Sequence, residues 1–190
     1  ADGIECCVEE IRTSAGNVIP MQIDANSSSK VAFTQYEPIG VVAAVSAFNH
    51  PFNLIVHQVA PAVATGCPVL VKPAASTPLS CHTFLEILKE AGLPEGWAQM
   101  VLPEKTELAT EMVSDPRVSF FSFIGSSRVG WMLKSKLAPG TRCALEHGGV
   151  APVIITADAN LDDVVERVAK GGFYHAGQVC VSVQRVFCDS

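Results

Sequence analysis

The sequence lacks the features that mark nucleic-acid-binding, membrane and secreted proteins. It contains no basic run and its formal net charge is −6, which argues against a protein that gains affinity by neutralising phosphates. Its longest apolar stretch, residues 39–48, is far shorter than the ~20 residues that cross a bilayer. Its first residues have neither the basic nor the apolar region of a signal peptide. Hydrophobic residues make up 48% of the 190 positions and charged residues 17%, which predicts a packed globular protein.

The cysteines lack the spacing of a disulfide framework or of a zinc site. There are seven, an odd number, and no C-x-x-C pair occurs among them. We therefore expect reduced thiols, most of them buried and inert, in a cytoplasmic protein that binds no metal. They are Cys6, Cys7, Cys67, Cys81, Cys143, Cys180 and Cys188.

Short apolar strands alternate with helical patterns along most of the chain. The helical spacing that begins at Ile4 predicts that the chain starts inside a helix ending near Gly16, as a fragment would. Residues 18–25 and 29–37, around a polar Asn-Ser-Ser, predict a peripheral β-hairpin. Strands are predicted at 40–47, 69–71, 99–102, 118–122, 143–145, 153–155 and 183–187, and helices at 54–65, 79–91, 107–114, 128–137 and 161–173. This alternation predicts an α/β fold with a doubly wound parallel sheet.

Polar and glycine-containing segments follow several of these strands, where open α/β sheets bind their ligands. The segments are AFNHPFN at 47–53, VKPAASTP at 71–78, FSFIGSS at 121–127, EHGG at 146–149 and, after a later helix, AGQVC at 176–180. In this order and spacing they resemble the aldehyde dehydrogenase family. The resemblance covers essentially the whole chain and implies a Rossmann-like fold that oxidises an aldehyde to a carboxylic acid with NAD or NADP.

The resemblance implies a catalytic role for three residues. Cys180, in a Gly-Gln-x-Cys turn, would attack the aldehyde carbonyl and form a thiohemiacetal from which hydride can leave; taken alone, it would more often be a buried structural cysteine. Asn49 would donate a hydrogen bond to the oxyanion, although an asparagine before proline also commonly caps a helix. Glu146 would activate the water that hydrolyses the thioester, although a glutamate after a strand is more often a surface residue.

The resemblance also implies a dinucleotide site. Lys72 would contact a ribose hydroxyl, Gly125 and Ser126 would bind the pyrophosphate at a helix N-terminus, and Val129 would pack on the adenine. The full set of residues expected around the cofactor is Ser46, Ala47, Phe48, Lys72, Ala75, Gly125, Ser126, Val129 and Gly148.

The sequence departs from the family pattern at several of these positions. Ala75 stands where the family commonly has a glutamate that repels a 2′-phosphate, so we expect weak discrimination against NADP. Ile124 replaces a threonine, which removes a hydroxyl on the nicotinamide side. His147 replaces the leucine after the base, where it either tunes Glu146 or merely packs. His50 takes a variable position and is expected to have no catalytic role, although His50, Phe52, Val179 and Val181 hint at an apolar substrate entrance.

The resemblance divides the chain into four parts. Residues 1–17 form a helical lead-in, 18–37 a hairpin of the type used in oligomers, 38–149 the dinucleotide-binding domain and 150–190 the start of a catalytic domain. Family members are several hundred residues long, so we expect these residues alone to lack turnover. The hairpin resembles the family's intersubunit segment, so we expect the whole enzyme to be a homo-oligomer, and the resemblance implies a small-molecule aldehyde as its substrate. Two alternatives stay open: a CoA-acylating relative, and a nucleotide-binding module without catalysis.

Overall fold

Nine strands and six α-helices are observed in the computed structural model, which describes residues 2–189. In chain order they are α1 (Asp2–Thr13), β1 (Val18–Ile19), β2 (Ala32–Phe33), β3 (Val41–Val45), α2 (Pro51–Ala64), β4 (Val69–Lys72), α3 (Leu79–Glu90), β5 (Ala98–Met100), α4 (Thr106–Ser114), β6 (Val118–Gly125), α5 (Ser127–Lys134), β7 (Arg142–His147), β8 (Pro152–Ile155), α6 (Leu161–Phe173) and β9 (Arg185–Cys188). A 3-10 turn, Tyr174–Gly177, follows α6. None of the helices in this described part is long and apolar enough to cross a membrane.

Five parallel strands form the central sheet in the order β5-β4-β3-β6-β7. The chain builds outwards from β3 to β5 and then returns through α4, so that β6 lies on the other side of β3. Side chains of β3 therefore have neighbouring strands on both sides and helices on both faces, which explains its continuous apolar run. The reversal of strand order between β3 and β6 is a topological switch point, where such sheets bind ligands.

Helices cover both faces of this sheet. On one face, Val42 and Ala44 of β3 pack with Ile55 and Val59 of α2 and Phe84 of α3. On the other face, the alternate residues Ala43 and Val45 pack with Phe121 and Phe123 of β6, Val113 of α4 and Leu133 of α5. The α/β fold with a doubly wound parallel sheet is thus confirmed.

A second unit follows the central sheet. Strands β8 and β9 pair in parallel, and α6 with the 3-10 turn connects them. Helix α6 begins where Asn160 accepts a hydrogen bond from the backbone N–H of Asp162 through its side chain (3.1 Å). The division into domains at residue 149 stays a prediction, although the central sheet ends at His147 and β8 begins at Pro152.

The predicted hairpin of residues 18–37 is wrong in extent. Only Val18–Ile19 and Ala32–Phe33 pair, in antiparallel register. Between them, the Asp24 carboxylate accepts hydrogen bonds from the backbone N–H groups of Asn26 and Ser27 and from the Ser27 hydroxyl. These local bonds form a compact turn, which competes with the strand ladder.

Three further expectations need correction. Helix α2 begins at Pro51 rather than at residue 54, since a proline suits the first turn of a helix. Strand β7 extends from Arg142 to His147, so Glu146 lies inside a strand instead of following it. The cysteines are less buried than expected: Cys67 and Cys81 are buried, Cys7 and Cys143 are intermediate, and Cys6, Cys180 and Cys188 are exposed.

Candidate active site

A buried glutamine holds the switch point together. Gln58 of α2 is only 4% exposed, and its side-chain nitrogen donates to the carbonyl of Val45 (3.2 Å) and to the carbonyl and hydroxyl oxygens of Ser122 (3.1 and 3.0 Å). These acceptors belong to β3 and β6, so one side chain bridges the two central strands near their carboxyl ends. The sequence analysis did not identify Gln58. The one signal that could have done so is a polar residue on the otherwise apolar face of a helix, which indicates a buried hydrogen-bonding role.

Asn49 lies directly after β3 and reaches the turn that carries Cys180. Its side-chain Nδ2 donates to the backbone carbonyl of Gln178 at 2.8 Å. Its Oδ1 is buried and accepts no hydrogen bond from residues 2–189. Because a carboxamide nitrogen carries two hydrogens, the bond to Gln178 orients the amide and leaves one hydrogen free to donate. A side chain thus oriented can donate to a negatively charged oxygen without first reorganising.

The turn before Cys180 has an unusual backbone. His175 (φ 50°, ψ 37°) and Ala176 (φ 56°, ψ 33°) are both left-handed, and Gly177 follows with φ 75°. Each non-glycine residue in this region costs about 1–2 kcal/mol. The conformation persists because other contacts hold it: the N–H of Gln178 donates to the carbonyl of His175 (3.1 Å). The hydroxyl of Ser182, a residue 2% exposed, donates to the carbonyl of Gly177 (3.1 Å).

Cys180 lies beside the glycine pair that follows β7. A β-carbon at Gly148 would lie 3.9 Å from the Cα and from the carbonyl oxygen of Cys180, so the two segments are in contact. The thiol belongs to an exposed residue, as a nucleophile requires. The turn that carries Cys180 therefore contacts two other segments, that of Gly148 through Cys180 and that of Asn49 through Gln178. Its role as a nucleophile stays a prediction.

Glu146 and His147 point to opposite faces of β7. Glu146 is exposed and lines a cavity of about 370 Å³ together with residues of α2 and β6. His147 packs on the α5 side: its ring centroid is 5.7 Å from that of Trp131, and a β-carbon at Gly130 would lie 3.2 Å from its Cδ2. Of the two readings offered for His147, the contacts favour packing, because alternate residues of a strand face apart.

Several residues at the ends of β3 and β4 fit a dinucleotide. The Ser46 hydroxyl and the Thr77 hydroxyl are buried and make no hydrogen bond within residues 2–189. Unpaired buried hydroxyls are costly, so both suit a bound polar group. Lys72 is half-buried, its Nζ donates to the carbonyl of Pro73 (3.2 Å), and burial lowers the pKa of its ammonium group. Ala75 is exposed in the turn that follows, and Ala47 and Phe48 lie between Ser46 and Asn49.

The N-terminus of α5 offers backbone N–H donors for a phosphate, but Gly125 before it is also explained by packing. Ser126 precedes the helix and its side chain makes no capping bond. A β-carbon at Gly125 would lie 2.8 Å from Phe123 Cζ, and one at Gly130 would lie 2.9 Å from Phe123 Cε1. Both glycines therefore make room for the Phe123 ring. Val129 packs against the same core cluster, which leaves only its exposed part for a ligand.

Residues 1–190 match the model of the aldehyde dehydrogenase family. The chain belongs to the aldehyde dehydrogenase family. It is 36% identical over 187 residues to 3-sulfolactaldehyde dehydrogenase of Priestia megaterium, covering 98% of this chain and 39% of the relative. It is also 36% identical over 187 residues to the mitochondrial succinate-semialdehyde dehydrogenase of Arabidopsis thaliana, covering 98% and 35%.

Solved aldehyde dehydrogenase structures share its fold. The NADP-dependent glyceraldehyde-3-phosphate dehydrogenase of Bacillus halodurans, complexed with NADP, superposes with a TM-score of 0.92 at 34% identity, over 100% of this chain and 40% of that one. Aldehyde dehydrogenase 21 of Physcomitrella patens, in complex with the reaction product succinate, gives 0.90 at 38% identity, over 98% and 39%. The chain thus spans about two fifths of the length of these relatives.

The aldehyde dehydrogenase fold also brings residues together that the sequence did not single out as a group. His50 lies against Tyr174 and His175, with ring centroids 6.1 and 4.7 Å away. Both residues belong to the turn of residues 174–180, which we call the nucleophile turn after the predicted role of Cys180. Phe52, expected near the substrate entrance, instead packs edge-on against Phe84 of α3 at 5.6 Å. The left-handed backbone at His175, a conformation that histidine adopts only in a small minority of cases, creates the first of these groupings.

Proposed function

We propose that the enzyme to which these residues belong oxidises a small aldehyde to a carboxylic acid, with NAD or NADP as the acceptor. The observation that carries the proposal is the hydrogen bond from Asn49 Nδ2 to the carbonyl of Gln178, two residues before Cys180. It joins the turn after β3 to the nucleophile turn, which Gly148 contacts from the end of β7. These two contacts support a site in which the thiol of Cys180 and the amide of Asn49 act on one carbonyl, with Glu146 on β7, two residues before Gly148.

In this proposal Cys180 begins the reaction. Its thiolate attacks the aldehyde carbon, and the carbonyl π electrons move to the oxygen to form a tetrahedral thiohemiacetal anion. The free hydrogen of the Asn49 amide and a backbone N–H donate to that oxygen, which stabilises charge that develops only in the reaction. A bound nicotinamide would supply the acceptor for the hydride that leaves the carbon, and the carbonyl re-forms as a thioester on Cys180.

Glu146 completes the cycle in this proposal. Its carboxylate takes a proton from water, whose oxygen attacks the thioester carbon, and the C–S bond breaks to release the acid and regenerate the Cys180 thiolate. The net change is aldehyde, water and oxidised cofactor to carboxylic acid, reduced cofactor and one proton. A carboxylate at this position favours hydrolysis over transfer of the acyl group to coenzyme A.

The cofactor site supports NADP as well as NAD. Ala75 places no carboxylate where it could repel a 2′-phosphate, and Lys72 lies nearby at the end of β4. The related Bacillus halodurans enzyme is complexed with NADP. If the product of the complete gene used NAD more than about a hundredfold more efficiently than NADP, this part of the proposal would be wrong.

We also propose a cytoplasmic homo-oligomer. All seven cysteines are free thiols, which suits a reducing compartment. The segment of residues 18–36 exposes Val18, Ile23, Val31, Phe33 and Tyr36, each more than 60% accessible. An apolar surface of this kind on a short two-stranded ribbon suits burial against a second copy.

The test is a steady-state assay of the product of the complete gene. A panel of small aldehydes is supplied with NAD or NADP, reduced cofactor is followed by absorbance, and the products are identified by chromatography with and without coenzyme A. We expect reduced cofactor and free acid in equal amounts. Formation of acyl-CoA would show that the enzyme transfers the acyl group to coenzyme A instead of hydrolysing the thioester. The lack of turnover with every aldehyde would favour a binding module without catalysis.

A further inference from the structure

Three aromatic side chains gather beside Asn49 and the nucleophile turn. The ring centroid of His50 lies 4.7 Å from that of His175, at a nearly perpendicular 87°. Tyr174 lies 4.4 Å from His175 and is stacked on His50 at 6.1 Å. We call His50, Tyr174 and His175 the imidazole cluster. The cluster brings His50, which follows the proposed oxyanion donor Asn49, against Tyr174 and His175, which begin the turn that leads to Cys180.

The backbone holds this cluster at a cost. His175 has φ 50°, a left-handed conformation that asparagine or glycine adopts more readily than histidine. The N–H of Gln178 donates to its carbonyl (3.1 Å), and the carbonyl of Gln178 accepts from Asn49. The backbone of Gln178 therefore connects the Asn49 amide with the backbone of His175, whose ring lies against His50.

The polar atoms of the cluster are free to bind. Within residues 2–189, the ring nitrogens of His50 and His175 and the Tyr174 hydroxyl form no hydrogen bond with the protein. The ion pairs in this part of the chain lie elsewhere, between Arg117 and Asp115 and between Arg167 and Asp163. His50 is half-buried, whereas Tyr174 and His175 are exposed, so a ligand can reach them.

We propose that the imidazole cluster binds an anionic group carried by the aldehyde, a carboxylate, sulfonate or phosphate, at the end away from the carbonyl carbon. This inference rests on the proposed oxidation at Cys180. An imidazole donates one N–H when neutral and two when protonated, and a phenol donates one more, so the cluster offers several donors to anionic oxygens.

The experiment compares two aldehydes of equal carbon backbone on the product of the complete gene. The probes are 4-oxobutanoate and its uncharged methyl ester, and the measured quantity is the ratio of their kcat/KM values. His50→Phe keeps an aromatic ring but removes the nitrogens, and His175→Asn keeps a residue that tolerates the left-handed backbone. His82→Phe, on the exposed surface of α3, is the matched control.

We expect the wild type to prefer the acid, and each cluster variant to lower the acid-to-ester ratio about tenfold, as loss of a charge-assisted hydrogen bond does. The control should keep the wild-type ratio. A cluster that only packs would lower both kcat/KM values together and leave the ratio unchanged, which would overturn the inference. A wild-type ratio of one or less, with turnover of the ester, would also overturn it while sparing the proposed function. Turnover of neither probe nor of any other aldehyde would overturn both.

Discussion

Replacing Asn49 with alanine should cost far more activity than stability. The change removes the Nδ2 atom 2.8 Å from the Gln178 carbonyl. One such hydrogen bond contributes about 1 kcal/mol net to folding, so the Tm of the complete enzyme should fall by only a few degrees at most. The same atom is the proposed oxyanion donor, and losing a donor of that kind lowers kcat about 10²–10³-fold.

The matched control removes a different bond from the same turn. Ser182→Ala deletes the hydroxyl that donates to the Gly177 carbonyl at 3.1 Å, so it loosens the turn at a similar cost in stability. It removes no proposed donor to the substrate. We therefore expect a similar fall in Tm but a loss of kcat of less than about tenfold.

The assay is steady-state production of reduced cofactor at saturating aldehyde, with thermal unfolding followed by circular dichroism on the same samples. If Asn49→Ala and Ser182→Ala lost activity equally, Asn49 would only position the turn. If Asn49→Ala retained kcat within about tenfold of the wild type, the oxyanion role would be refuted.

Three other perturbations follow from the geometry. A thiol reagent should label the enzyme with one fast phase that Cys180→Ala abolishes; a fast phase that survives would assign the reactive thiol to another cysteine. Ala75→Glu should raise the ratio of kcat/KM for NAD over NADP at least about tenfold, and an unchanged ratio would place the 2′-hydroxyl elsewhere. Gly130→Ala puts a methyl group 2.9 Å from the Phe123 ring and should lower the free energy of unfolding by about 1–3 kcal/mol in urea titrations. The control Gly3→Ala, whose nearest contact is at 3.8 Å, should not lower it. Equal stabilities of the two variants would show that the Phe123 ring can shift freely.

Much of the fold could be predicted because the apolar periodicity of most segments matches the faces that they bury. The helix at 161–173 and the start of the helix at Leu79 were placed correctly, since apolar periodicity and glycine stops mark them. The region of residues 18–37 could not be placed, because Asp24 and Ser27 satisfy their neighbours' backbone groups locally and the strand ladder is left short. Alternation of apolar residues alone does not reveal this competition.

The candidate site was only partly predictable. Motif spacing identified Asn49, Glu146 and Cys180 separately, but the bond from Asn49 to Gln178 spans 129 positions in sequence and depends on the closed fold. The partner of His50 depends on the positive φ of His175, a conformation that histidine adopts only when its surroundings hold it there. Most cysteines were expected to be buried, but Cys188 is exposed, as is every residue of β9, because no other element covers this strand within residues 2–189.

The central claim is that the aldehyde carbon becomes bonded to Cys180. The most direct test is a rapid-quench experiment on the Glu146→Gln variant of the product of the complete gene, mixed with oxidised cofactor and an aldehyde, followed by intact-protein mass spectrometry and peptide mapping. Slow hydrolysis should let the thioester accumulate, with a burst of reduced cofactor and one acyl group per active site on the peptide that contains Cys180. An acyl group on a peptide with a different cysteine, or a burst without any acylated peptide, would contradict the account.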